Sequence, residues 1–167
     1  MYRLRTVAIA LTAVLLIAGC GSSDPDTAES ADTYTSTFDG VEVTGTTGTA
    51  PTIEITDDTP ATELGIEDLV VGDGAEVKAG DTVTVDYVGV ALSTGETFDS
   101  SFERGSPATF GLDQVIPGWS EGLVGMKVGG TRLLVIPGDL AYGEVSPTPE
   151  IGPNETLVFV VDLIEVQ

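Results

Sequence analysis

The chain has 167 residues, 27 acidic side chains, 6 basic ones, no histidine and a single cysteine, giving a net charge of −21. That excess argues against a nucleic-acid partner, because phosphate binding needs a basic face, and against an electrostatic hold on an anionic membrane. The missing histidine removes the imidazole base, the Ser-His and Cys-His nucleophile pairs and the usual nitrogen ligand of zinc. No carboxylates are spaced as in an EF-hand loop, so Asp24-Pro25-Asp26 and Asp57-Asp58 read as solvating charge, and neither metal nor cofactor is expected. The 21 glycines favour a turn-rich β protein over a helical bundle.

In chain order, Met1-Tyr2-Arg3-Leu4-Arg5 is short and basic. Thr6–Ala18 is apolar but shorter than the roughly 20 residues of a membrane span. Small residues follow, as in a secretory signal peptide. Ile17-Ala18-Gly19-Cys20 is similar to a bacterial lipobox, which implies cleavage before Cys20 and acylation there. That would leave residues 1–19 as a signal and Cys20 as a lipid anchor on the extracytoplasmic face of the cell membrane. Residues 20–50 are rich in Thr, Ser, Gly and acid and hold no Lys or Arg. They are expected to form a disordered acidic tether with an end-to-end reach of about 30 Å. Tyr34, Phe38, Val41 and Val43 stand out from that composition.

Order is expected from residue 51 to residue 167. Thr52–Thr56 alternates like a half-buried strand, and Glu67–Val71 is another short strand before the Gly72-Asp73-Gly74 turn. Thr82–Val88 carries the clearest signal: Val83, Val85 and Tyr87 share one face, and Thr82, Thr84 and Asp86 the other. Leu92–Glu96 reads as a hairpin turn with Gly95 at positive φ. Thr97–Ser101 resumes the strand and then breaks alternation, as a bulge or a strand end would. Ala108–Leu112 is a strand. Pro117 opens a short helix that Gly122 and Gly125 limit to about two turns. Thr131–Ile136 is a strand, Pro137–Pro153 a long Gly/Pro loop of the kind that carries function, and Thr156–Val166 a closing strand. The fold class is α+β: a curved antiparallel sheet wrapped around one short helix that buries Trp119.

Taken singly, the aromatics Tyr87, Phe98, Phe102, Phe110, Trp119, Tyr142 and Phe159 read as core, and Asp99 as a turn residue. Spacing alone makes no binding site of them. From Leu69 to Val166, however, the chain resembles the FKBP-type peptidyl-prolyl isomerases. The matching runs are Gly72-Asp73-Gly74, Val83–Gly89, Gly95 through Phe98-Asp99-Ser100-Ser101, Val115-Ile116-Pro117-Gly118-Trp119 with Glu121-Gly122-Leu123, Ala141-Tyr142-Gly143, and Gly152-Pro153-Asn154 through Phe159.

The resemblance implies an apolar pocket for a proline ring in an FKBP-like half-barrel. Trp119 would be its floor, with Tyr87, Phe98, Val115, Ile116 and Phe159 as walls, Phe110 at the edge and Ile151 retained from the family pattern. Asp99 and Tyr142 would be the polar rim, and the Ile116 N–H would donate to a substrate carbonyl. Tyr87, Asp99, Trp119 and Tyr142 are the catalytic set so implied. The implied partners are proline-containing polypeptides of exported proteins and the macrolides tacrolimus and rapamycin, with the chain acting as a monomer. A non-catalytic module that binds proline peptides at the cell surface is the alternative.

Isomerisation suits a chain without histidine. The rotation barrier of about 18–20 kcal/mol comes from amide resonance, and a twisted amide has less charge separation than a planar one, so an apolar pocket favours it. Two departures from the family pattern are Ala108, where an aromatic is frequent, and the acidic loop Glu144–Glu150, which is expected to disfavour acidic substrates.

Overall fold

Strand β5, Thr82–Ala91, is the spine of the molecule, pairing along its length with β9, Leu157–Val166. The computed structural model describes residues 32–167. The expected signal peptide at 1–19, the anchor Cys20 and the start of the tether lie outside them. Alternation along β5 puts Val83, Val85 and Tyr87 into the core in front of the sheet and Val88 and Val90 into a second core behind it. On its far side β9 pairs with β8, Thr131–Ile136, and β8 pairs with β4, Gly65–Val70. The free edge of β5 is shared by β6, Thr97–Ser100, and β7, Ala108–Gly111. All these pairs are antiparallel, in the order β4-β8-β9-β5-β6 with β7 beside β5.

Helix α2, Pro117–Gly122, crosses the front of this sheet, with proline at its start as the sequence predicts. Its approach is set by Gly118, where an added Cβ would come within 2.3 Å of Ile136 Cγ2. Only glycine lets the backbone lie that close to β8. Trp119 then points into the core formed by Val83, Val85, Tyr87, Leu134 and Phe159.

A second short helix, α1, Ser101–Arg104, is not foreseen in the sequence reading. Ser100 caps it by accepting from the Glu103 N–H, and Gly105 ends it at φ 70°. The Ser100-x-x-Glu103 spacing with Gly105 is the local signal for it.

The expectation of a disordered tether is corrected where the structure can be read. Residues 32–50 are not a tether: Thr33–Phe38 (β1) and Val41–Thr46 (β2) form a hairpin, and Thr52–Ile55 (β3) completes a separate three-stranded sheet. The ordered part therefore starts well before residue 51. The reason is apolar demand on the main sheet. Its rear face carries Val88, Val90, Leu133, Val135, Val158 and Val160, which need cover from water. Val41 and Val43, both 0% exposed, and Tyr34 supply it. Polar ties fix the layer: the Gly48 N–H donates to Asp162 Oδ2 at 2.6 Å, Thr47 Oγ1 meets Thr131 Oγ1 at 2.9 Å, and Ser36 donates to Glu67 at 2.6 Å. Among the described residues no helix is long and apolar enough to cross a membrane.

Candidate active site

The front core opens into a pocket of about 450 Å³ lined by Tyr87, Phe98, Asp99, Phe110, Gln114, Val115, Ile116, Trp119, Tyr142 and Phe159. Its volume falls in the range of small-ligand sites. Five elements contribute: β5 gives Tyr87, β6 gives Phe98 and Asp99, β7 gives Phe110, α2 gives Trp119 and β9 gives Phe159. The turn before α2 gives Gln114, Val115 and Ile116, and the loop after β8 gives Tyr142.

Trp119 is the floor, 4% exposed. Three rings meet it edge to face: Tyr87 at 5.3 Å, Phe110 at 5.4 Å and Phe159 at 5.2 Å between centroids. Such T-shaped contacts hold an indole in one orientation and add to the stability that burial brings. Its Nε1–H is buried without a hydrogen-bond partner. Phe98 packs on Phe159 at 5.5 Å. Both rings lie over Gly89 of β5, where an added Cβ would sit 2.7 Å from Phe98 and 2.8 Å from Phe159.

The polar groups form one connected unit. The Tyr87 hydroxyl donates to Asp99 Oδ2 and accepts from Arg104 Nη2 at 2.9 Å. Arg104 Nη1 donates to Asp99 Oδ1, and its guanidinium carbon lies 5.4 Å from the centre of the Tyr87 ring. Burial, reinforced by the bond to Asp99, pushes the Tyr87 phenol up to about 12, with Arg104 opposing the rise. Tyr87 is therefore a neutral donor at ordinary pH. Behind it, Ser101 accepts from the Tyr87 N–H at 2.9 Å and donates to Asp86 at 2.7 Å, which fixes α1 against β5.

Ile116 is the N-cap of α2, and its carbonyl accepts from the Trp119 and Ser120 N–H groups. Its own N–H makes no backbone hydrogen bond among the described residues, which leaves it free for a ligand carbonyl. Tyr142, 40% exposed, stands at the rim. Nine of the expected pocket residues are thus brought together.

Ile151 is not among them. It is 3% exposed and packs in the front core, and its N–H closes a turn onto the Thr148 carbonyl. Sequence reasoning missed Gln114, which has no motif to mark it, and Arg104, whose position is set by the overlooked helix α1. No group of three His, Cys, Asp or Glu side chains among the described residues is placed to hold a metal.

Comparison with known proteins gives this pocket a family. A family model described as FKBP-type peptidyl-prolyl cis-trans isomerase matches residues 74–164. An FK506-binding protein of Streptomyces anulatus is 50% identical over 119 residues, covering 70% of this chain and 96% of the relative. FkpA of Escherichia coli, an FKBP-type peptidyl-prolyl cis-trans isomerase, is 48% identical over 109 residues, and the chain spans only 40% of its length. The crystal structure of FkpA superposes with a TM-score of 0.59 over 64% of this chain and 49% of that one. A peptidyl-prolyl isomerase from Pseudomonas syringae gives 0.58 at 38% identity, over 65% and 78% of the two chains. Strands β1 to β4 precede the matched family segment. The chain belongs to the FKBP-type peptidyl-prolyl cis-trans isomerases.

Proposed function

We propose that this pocket accelerates rotation about X-Pro bonds by seating the proline ring on Trp119 and holding the flanking carbonyls at the rim. The observation that carries this assignment of roles is the aromatic box: three rings set edge-on around one indole in a pocket whose lining is mostly apolar. A planar amide keeps its resonance dipole, and a twisted one loses much of it. An apolar seat therefore stabilises the twisted state relative to the ground state. No group need change protonation. The Ile116 N–H donates to the carbonyl on one side of the proline, and Tyr142 holds a second. Asp99 accepts from Tyr87 on one oxygen and from Arg104 on the other, and in this arrangement it orients the Tyr87 phenol.

The same pocket is proposed to take macrolides of the tacrolimus and rapamycin type, in keeping with the Streptomyces relative named an FK506-binding protein. The chain is further proposed to act as a monomer on exported proteins, held at the extracytoplasmic membrane face through Cys20. The lipobox-like Ile17-Ala18-Gly19-Cys20 supports that reading.

A proline-peptide isomerisation assay on residues 20–167 tests the assignment. Turnover should be inhibited by rapamycin in proportion to pocket occupancy, and Tyr142→Phe should lower kcat/KM. Peptide binding without any turnover would overturn it in favour of a binding module. Metabolic labelling with palmitate tests the anchor, which fails if Cys20→Ser leaves the label in place.

A further inference from the structure

We infer that the pocket selects X-Pro segments flanked by lysine or arginine, a reading that rests on the isomerase assignment of the site and names its substrate class. The described residues contain four basic side chains: Lys78, Arg104, Lys127 and Arg132. Arg132 is buried and fully engaged. It pairs with Asp68 at 2.7 and 3.1 Å and donates to the Gly122 and Val124 carbonyls at 2.7 and 3.2 Å. Arg104 stands beside the pocket but is neutralised by Asp99.

The two lysines lie at the other end of α2. The Val77 N–H donates to the Met126 carbonyl at 2.8 Å, and the Gly125 N–H to the Val77 carbonyl at 2.9 Å. Lys127 bridges to Glu76 through its backbone. These links tie Lys78 and Lys127 to the chain that leaves the C-terminal end of α2, whereas the pocket mouth is at its N-terminal end, at Val115 and Ile116.

On the segments next to the pocket lining, by contrast, stand four carboxylates outside the Asp99–Arg104 pair. Asp113 directly precedes the lining residue Gln114, Glu144 follows Tyr142 by two positions, and Glu150 lies on the same loop; all three are exposed. Glu103 is exposed beside Arg104 on α1. Among the described residues none of the four is in a salt bridge, the two present being Arg104–Asp99 and Arg132–Asp68. A substrate that brings its own cations into this rim is drawn in. One that brings carboxylates is repelled, and the net charge of −21 extends that field beyond the rim.

The experiment compares three X-Pro peptides that differ only in their flanks, Lys, Gln or Glu, at about 20 mM and about 500 mM salt. The Lys-flanked peptide should have a kcat/KM about tenfold above the Glu-flanked one at low salt, and the gap should shrink to about twofold or less at high salt as the charges are screened. The combined variant Asp113→Asn, Glu144→Gln, Glu150→Gln should narrow the low-salt gap. Equal rates on all three peptides, or a gap that survives both high salt and the triple variant, would overturn the inference. The Gln-flanked peptide separates the two readings: no turnover on it counts against the isomerase assignment itself, whereas turnover without charge discrimination counts only against this selectivity.

Discussion

The Tyr87 phenol O–H donates a hydrogen bond to Asp99 at the pocket wall, and Arg104 donates to both of them. The three side chains come from β5, β6 and α1, so one polar unit staples three consecutive pieces of backbone around the mouth of the site. Asp99 and Arg104 are roughly half exposed, with side-chain accessibilities of 40% and 44%. A pair so exposed contributes about 0–1 kcal/mol to stability. Its value lies in holding the Tyr87 ring.

Arg104→Ala should therefore leave the midpoint of denaturant unfolding within about 1 kcal/mol of the parent. It should lower kcat/KM several-fold, because Asp99 and Tyr87 lose their shared donor. Unchanged turnover would show that the ring is held by packing alone.

The raised Tyr87 pKa has a pH consequence with a definite sign. The folded state keeps the phenol proton up to about 12 against an ordinary value of 10.0. The associated stability is fully present below pH 10 and lost as pH rises from 10 to 12. Tyr87→Phe should flatten the fall in folding free energy across that window, and the folded parent should show delayed phenolate absorbance.

Trp119 separates the structural and functional meanings of one residue. Trp119→Ala should cost about 3–5 kcal/mol, as large aromatic truncations in cores do. Trp119→Phe should cost far less, about 1–2 kcal/mol, since the lost ring area is offset by removing a buried N–H without a partner. Urea unfolding gives both numbers. The Phe variant should remain folded while its KM for proline peptides rises, and unfolding of that variant would make Trp119 primarily structural.

What could be read in the sequence followed periodicity. The alternation of Val83, Val85 and Tyr87 and the Pro117 start of α2 depend on neighbours along the chain, and both appear as expected. The site itself had no such signature: its lining residues come from six separate stretches, and only the family resemblance joined them. Arg104 was missed because α1 is a single turn, too short for a helical period, whose only sequence signal is its Ser100 cap, Glu103 and Gly105. Strands β1 and β2 were hidden for another reason. Their Thr, Gly and acidic residues have the composition of a tether, and what orders them is the apolar rear face of a sheet formed by residues far along the chain. Tyr34, Val41 and Val43 were the trace of that demand.

Gly89 lies directly beneath two rings of the pocket wall, Phe98 and Phe159. In Gly89→Ala the new methyl would meet both Phe98 and Phe159 at under 3 Å, so the rings must move. Overpacking of this kind costs about 1–3 kcal/mol. The fold should survive, and rapamycin affinity should drop by more than the stability loss accounts for. Calorimetry at a temperature where the variant is fully folded makes the comparison, and equal affinity would show that the two rings adapt without reshaping the site.

Removing residues 21–48 tests whether the N-terminal sheet is part of the folded unit. The deletion uncovers Val88, Val90, Leu133, Val135, Val158 and Val160 together. Full burial of each such side chain contributes about 1.5–3 kcal/mol, so even partial exposure takes away about 5 kcal/mol, a large part of a domain's margin. The truncated chain should unfold at markedly lower urea and self-associate through the bared patch. A truncated chain of unchanged stability would return this segment to the status of a tether.

Asp162 reports on the same layer by pH. It is buried where the Gly48 N–H and Thr131 hydroxyl donate to it. Burial raises its pKa above the ordinary carboxylate value of 3.8, against the lowering effect of those two bonds and with a smaller push from Asp86. Its contribution to stability is therefore fully present below about pH 4 and is lost as pH rises through the folded-state pKa. Asp162→Asn cannot ionise, and its amide nitrogen cannot accept from one of the two donors. The variant should be less stable than the parent throughout, but by a margin that is greatest at low pH and narrows as pH rises to 7. Denaturant titrations of both proteins across that range measure the margin. A gap that widens with pH would mean that the two donors outweigh burial, and that Asp162 is held as a favoured anion.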